Sequence, residues 1–207
     1  MITPGIMEIL HESIQIYDKL CGKSYLIVFG SKTDWKFIQV KIKQSSFWHL
    51  LGCSLEPDSN DGKNNTYLQC KERMNVSDKI SSIHSFSEIK KKYLAMQNVF
   101  DFVTKANEIK IGYAVNCPEE YLFKVGTGNN TGIIGYDYPN IGNSDSLFPK
   151  SAHLKTISKI SNTTYRILMI LSKNIVEKYY HNIEYEIKKD IYSNFKEHIP
   201  NEINVRI

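Results

Sequence analysis

A serine-capped apolar stripe followed by a change of period constrains this chain more than any other feature of it. Ser85-Phe86-Ser87-Glu88 has the form of a capping box, in which the first and last side chains satisfy each other's backbone N–H groups. Phe86, Ile89, Tyr93, Met96, Phe100 and Val103 then recur three and four residues apart. That spacing predicts a helix with one buried face. Its Lys90-Lys91-Lys92 run reads as a solvated face. Beyond Ala106 the pattern becomes strand-like. Residues 109–114, 121–125 and 133–138 read as short strands, and 165–171 as a long central one. Gly128-Asn129-Asn130-Thr131-Gly132 reads as a hairpin turn of the kind that needs positive φ. Helices and strands are segregated along the chain, which predicts α+β and not a parallel α/β fold.

The segments ahead of the stripe complete this layout. Residues 6–20 have helical spacing, with Gly22 as a stop. Residues 25–29 and 36–42 form an antiparallel hairpin around Ser31-Lys32-Thr33-Asp34. A brief helix follows over 45–52, then a polar loop over 56–65 and one or two helical turns over 67–73. After Leu147-Phe148, Pro149 is expected to end a short strand. Residues 175–195 carry Tyr179, Ile183, Ile187 and Ile191 four apart, which predicts a closing helix with Pro200 beyond it. The expectation is a single domain over 1–207. It has a mainly helical front half (1–106) with a hairpin at 24–42, an antiparallel β-meander (107–173) and a C-terminal helix (174–207).

At 207 residues and 42% hydrophobic content the chain can bury a core without staples. Cys21, Cys53, Cys70 and Cys117 form no C-x-x-C pair and have no histidine at ligand spacing, so no metal site or disulfide framework is expected. The opening MITPGIMEILHESIQIYDKL lacks a basic n-region and a long apolar run, and no window approaches the ~18 apolar residues of a membrane span. A cytoplasmic chain with no membrane partner is the expectation. No glycine-rich phosphate loop, H-E-x-x-H or G-x-S-x-G occurs, and no cofactor is expected.

The net charge of +4 permits an anionic partner without demanding one. Its distribution is more informative. No acidic residue lies between Asp145 and Glu177, an interval holding Lys150, His153, Lys155, Lys159, Arg166 and Lys173. Three places can carry chemistry. His49 has the side chain best suited to proton transfer near neutral pH, or packs beside Trp48 as a structural residue. Lys150 and Ser151 follow Pro149 and offer a point charge and a neutral donor to a phosphate, or sit on an exposed strand end. Tyr165-Arg166 can stack on a base and grip a phosphate, or form an ordinary cross-strand aromatic beside a surface arginine. Glu119-Glu120 are adjacent on a strand, face opposite ways, and make no acid/base pair.

In their order, S-F-W-H-L-L-G (46–52), Y-L-F-K-V-G-T-G-N-N-T-G-I-I-G-Y-D-Y-P (121–139), S-L-F-P-K-S (146–151) and T-Y-R-I-L-M-I-L-S-K (164–173) resemble the phage-associated Barnase–EndoU–colicin–RelE-like nucleases. The resemblance is to the group with an H-L-[ML]-G motif and an S-F-F-P-[KR] strand end, and covers residues 24–173. It implies a small antiparallel sheet behind N-terminal helices and metal-independent cleavage of RNA, in which a base activates the ribose 2′-OH and an acid protonates the leaving 5′-oxygen. Carried over, it makes His49 a general acid or base, Lys150 the phosphate holder with Ser151 beside it, and Tyr165 a secondary contact. Arg166, His153 and Lys155 are then expected to bind substrate. RNA is the expected partner, with a protein partner such as an antitoxin compatible with the same group. A non-catalytic RNA- or protein-binding module is the rival expectation. The chain departs from the pattern in having Leu147 where the group has a first aromatic, and no arginine just before it.

Overall fold

The computed structural model describes residues 2–31, 34–56, 62–114, 123–139, 146–189, 191–200 and 203–207. Cys117, Glu119, Glu120, the first part of the 121–125 strand, the tip of the 31–34 turn and residues 57–61 of the 56–65 loop lie outside the described residues.

The chain opens with helix α1 (Pro4–Asp18), capped by the Thr3 hydroxyl, which accepts from the N–H of Ile6. Strands β1 (Lys23–Gly30) and β2 (Trp35–Lys41) pair antiparallel, as expected. Helix α2 (Phe47–Leu51), strand β3 (Cys53–Leu55), helix α3 (Lys63–Lys71) and strand β4 (Ile80–Ser82) follow, β3 and β4 forming a small separate sheet. Helix α4 (Phe86–Val99) carries both hydrogen bonds of the capping box at Ser85 and Glu88. It buries Ile89, Met96 and Val99, each side chain contributing about 1.5–3 kcal/mol of apolar burial. Then come β5 (Lys110–Tyr113), β6 (Val125–Gly128), β7 (Ile133–Asp137), β8 (Ser146–His153), β9 (Thr164–Asn174), β10 (Asn182–Glu186) and a last short helix α5 (Ile191–Phe195).

The class is α+β, with one eight-stranded sheet among the described residues in the order β1-β2-β8-β7-β6-β5-β9-β10. Because β1 also pairs with β9, the sheet curls until its strand order closes into a ring. β1 and β9 are buried on both sides, which explains their continuous apolar runs. Tyr25, Ile27 and Phe29 face the helices, while Leu26 and Val28 face the C-terminal segment with Met169, Leu171 and Phe195. Among the described residues, all but one of the strand pairings in this sheet are antiparallel. β2 meets β8 in parallel through Gln39 opposite Ser146 and Val40 opposite Leu147.

Three local expectations are corrected. The 175–195 helix is instead β10 and the short α5. A spacing of four is even as well as helical, so Ile183 and Ile187 fit alternation equally well, and the free edge of β9 supplies a ladder that an isolated helix lacks. Glu184 fixes the choice, accepting from Ser172 Oγ at 2.5 Å and Lys23 Nζ at 3.0 Å. The 128–132 turn has no positive φ; Asn129 Oδ1 accepts from Thr131 N–H at 2.8 Å and closes it as an Asx turn. Pro149 does not end its strand, because β8 runs on to His153.

Candidate functional site

Helix α2 is a single turn that buries Phe47, Trp48, Leu50 and Leu51 and leaves His49 facing out. It stops at Gly52, whose left-handed φ of 74° suits glycine. The buried anchor places the exposed histidine. Trp48 Nε1 donates to the carbonyl of Lys63 at 3.1 Å. The Lys63 ammonium in turn lies 3.1 Å from His49 Nε2. An ammonium can only donate, so Nε2 is the unprotonated nitrogen and the neutral ring carries its proton on Nδ1. The His49 pKa lies below the usual histidine value. Although the residue is exposed overall, the groove walls desolvate part of its ring, and the Lys63 and Lys150 charges push in the same direction.

Opposite this turn lies β8. Gly135 of β7 faces Ser151 and Tyr136 faces Pro149, so Lys150 is the extra residue of a β-bulge. A bulge is one of the few positions where a sheet tolerates proline, because a ladder hydrogen bond is already missing there. It also returns Ala152 to the core side shared by Leu147, leaving Lys150 and Ser151 partly exposed together. Lys150 Nζ donates to Asp137 Oδ2 at 2.8 Å. Lys43 Nζ sits 4.8 Å from the Phe148 ring centroid. These groups and His49 line a cavity of ≈ 530 Å³, within the range of ligand pockets.

A second cavity of ≈ 610 Å³ shares His49 and Lys150 with the first and adds Ser151, His153 and Lys155. Ser151 Oγ lies 2.9 Å from His153 Nε2, and the His153 ring stands 5.8 Å from that of Phe123. The two cavities thus form one groove across β8. Five of the residues expected from sequence meet there: His49, Lys150, Ser151, His153 and Lys155.

Tyr165 and Arg166 do not line it. Tyr165 belongs to an aromatic group with Phe29 and Tyr113 and accepts from Lys36 Nζ at 3.2 Å. Arg166, the next residue on β9, lines a different cavity beside Trp35 and Ile187. Successive strand residues face opposite ways, so the dipeptide could not serve one site.

Sequence reading missed Lys63, Asp137, Lys91 and Lys92, all of which line the groove. Lys63 fell within the polar stretch read as loop. Lys92 carried a usable signal, since it stands three residues after Ile89 and four before Met96, inside the apolar stripe and not opposite it. Lys92 is half-buried, which corrects the solvated-face reading of the lysine run for that residue.

Among the described residues, no helix is long and apolar enough to cross a membrane. Neither a curated protein nor a solved structure matches the chain. One family model does, over residues 9–189, a span that contains α2, α4, the bulged β8 and all of β9. With the expected motifs in place on that span, the chain belongs to the phage-Barnase-EndoU-ColicinE5/D-RelE like nuclease 4 family.

Proposed function

We propose that this nuclease-family protein is a ribonuclease that cleaves RNA by internal transesterification without a metal ion, with His49 as the general base. The observation that carries the reading is the neutral His49, its Nε2 lone pair held by Lys63 at 3.1 Å on the wall facing Lys150. A phosphodiester entering the groove attracts Lys63 and Lys150 and releases that lone pair. His49 then takes the proton from the ribose 2′-OH as the 2′-oxygen attacks phosphorus. Lys150 and the Ser151 hydroxyl meet the charge that builds on the phosphoryl oxygens. The bond to the 5′-oxygen breaks, and the leaving oxygen takes a proton from the Lys63 ammonium. The products are a 2′,3′-cyclic phosphate and a 5′-hydroxyl. The His49 imidazolium, a much stronger acid than a lysine ammonium, returns its proton to Lys63 and restores the resting pair.

The test is an end-labelled RNA oligonucleotide incubated with purified protein in excess EDTA. Cleavage with a 2′,3′-cyclic end is expected, with a loss of about 10²–10⁴-fold in His49→Ala. Cleavage that continues at a 2′-deoxy position, or that survives His49→Ala unchanged, overturns the reading.

One observation favours a second reading, an RNA- or protein-binding module that does not cleave. Lys150 is already paired with Asp137 at 2.8 Å, which offsets part of the charge available to a transition state. Salt-sensitive RNA binding with no product in the same assay selects it.

A further inference from the structure

The wall of the groove formed by α4 holds a cation without a counter-charge in contact. Lys92 is half-buried and lines the ≈ 610 Å³ cavity beside Lys91, yet among the described residues it makes no hydrogen bond or ion pair. Its helical position explains why it is there. Ile89 and Met96 on the same face are fully buried and draw the lysine stem into the packing. The carboxylate nearest in the helix, Glu88, also lines the cavity but is committed elsewhere. Its Oε2 accepts from both Ser85 N–H and Ser85 Oγ at 3.0 Å as part of the capping box. Burial accordingly pushes the Lys92 pKa down, with Glu88 and the buried Cys53 thiol opposing it.

A partly desolvated ammonium is stabilised by any anion that enters beside it. Lys91, Lys150 and Lys155 around the same cavity favour an anion over a neutral ligand. The cavity is continuous with the His49 wall, so a strand bound with one phosphate at Lys150 runs its neighbouring phosphate along α4. Building on the ribonuclease reading above, we propose that Lys92 holds a backbone phosphate next to the scissile one and forms a second phosphate subsite. Lys92 is thus a binding residue, and its contribution is to affinity and register, not to the chemical step.

Binding of a 2′-O-methylated RNA oligonucleotide, which cannot be cleaved by the 2′-oxygen, separates this from catalysis. Lys92→Gln is expected to weaken binding about 5–20-fold and to reduce the slope of log affinity against log salt by about 0.7. Lys90→Gln, on the exposed side of α4, should bind as the wild type does. On a cleavable oligonucleotide KM rises in Lys92→Gln while kcat is nearly unchanged. In case the substitution disturbs α4, the wild-type protein labelled at lysine provides a second readout, because the Lys92 ammonium resonance should move as the methylated oligonucleotide is added. Unchanged affinity and salt slope in folded Lys92→Gln overturn the subsite, as does a Lys92 resonance that stays in place at saturation. Lys92-dependent binding without cleavage leaves the subsite standing and removes only the catalytic reading.

Discussion

Lys63 Nζ lies 3.1 Å from His49 Nε2, and the Lys63 carbonyl is held by the indole of the residue before that histidine. The lysine is therefore fixed at both ends by consecutive residues of one helical turn. This places a positive charge where it opposes protonation of the imidazole.

Lys63→Met should raise the His49 pKa, read from the pH titration of its ring proton resonances. The desolvation that is the largest cause of the shift remains in the variant, so the pKa stays below the ordinary value. Cleavage should be slower at every pH, because the variant lacks the Lys63 proton donor, and the acid limb of the remaining activity should move to higher pH with the His49 pKa. The stability consequence has a definite sign. With the folded pKa below the unfolded value near 6.5, the unfolded chain binds more protons between the two. His49's contribution to stability is thus complete above about pH 6.5 and is lost as pH falls through that window. Lys63→Met narrows the window. A His49 pKa that falls in this variant contradicts the geometry.

Asp137 competes with substrate for Lys150. Asp137→Asn leaves a neutral acceptor at 2.8 Å and removes a negative charge from the groove. RNA affinity should rise, by up to about tenfold, equivalent to ~1.4 kcal/mol. Folding stability should change little, by about 0–1 kcal/mol, since the Lys150 side chain keeps 39% of its exposure and solvent screens the pair. Fluorescence anisotropy with a labelled oligonucleotide decides it, and weaker binding by the variant counts against Lys150 as a phosphate ligand.

The sequence made the class and most elements legible because period and capping are local. Ser85 and Glu88 announce α4, and Gly52 announces the end of α2. The site was legible where an exposed polar residue interrupts an apolar run, as His49 does between Trp48 and Leu50, and where acidic residues are absent, as around Lys150, Ser151, His153 and Lys155. The bulge at Lys150 was not legible, because it arises from register against Gly135 and Tyr136, residues that meet β8 only in the folded sheet. The same holds for β10, whose even spacing suits helix and strand alike until the open edge of β9 is known. Tyr165 and Arg166 were grouped by adjacency in sequence, which on a strand separates side chains.

Gly52 tests how α2 is held. Its φ of 74° disfavours any L side chain, and a Cβ there would stand 2.0 Å from His84 Cδ2. Gly52→Ala should cost about 1–2 kcal/mol from the backbone, a fall in Tm of about 2–8 °C, plus whatever is needed to displace the His84 ring. Adding His84→Ala should recover the steric part and leave the backbone part. If the double variant is no more stable than Gly52→Ala alone, the His84 contact carries none of the penalty.

Tyr180 tests whether the C-terminal segment is part of the fold's foundation. Its hydroxyl lies 2.9 Å from Ser24 Oγ and donates to Gln39 Oε1 at 3.0 Å, joining the chain's end to both strands of the first hairpin. Its backbone pairs with the last described residues, accepting from Arg206 N–H and donating to the Asn204 carbonyl, each at 2.8 Å. Tyr180→Phe keeps the ring but strands the Ser24 hydroxyl, which is 0% exposed. Leaving that group unsatisfied should cost about 1–3 kcal/mol, seen as a lower denaturant midpoint with an unchanged m-value. Ser24→Ala combined with Tyr180→Phe should cost less than the two changes added together, because both partners of one bond are then gone. Strict additivity would place the two residues outside a shared network. If the hydroxyl anchors the segment, Tyr180→Phe should also admit a protease to residues 203–207 sooner than global unfolding does.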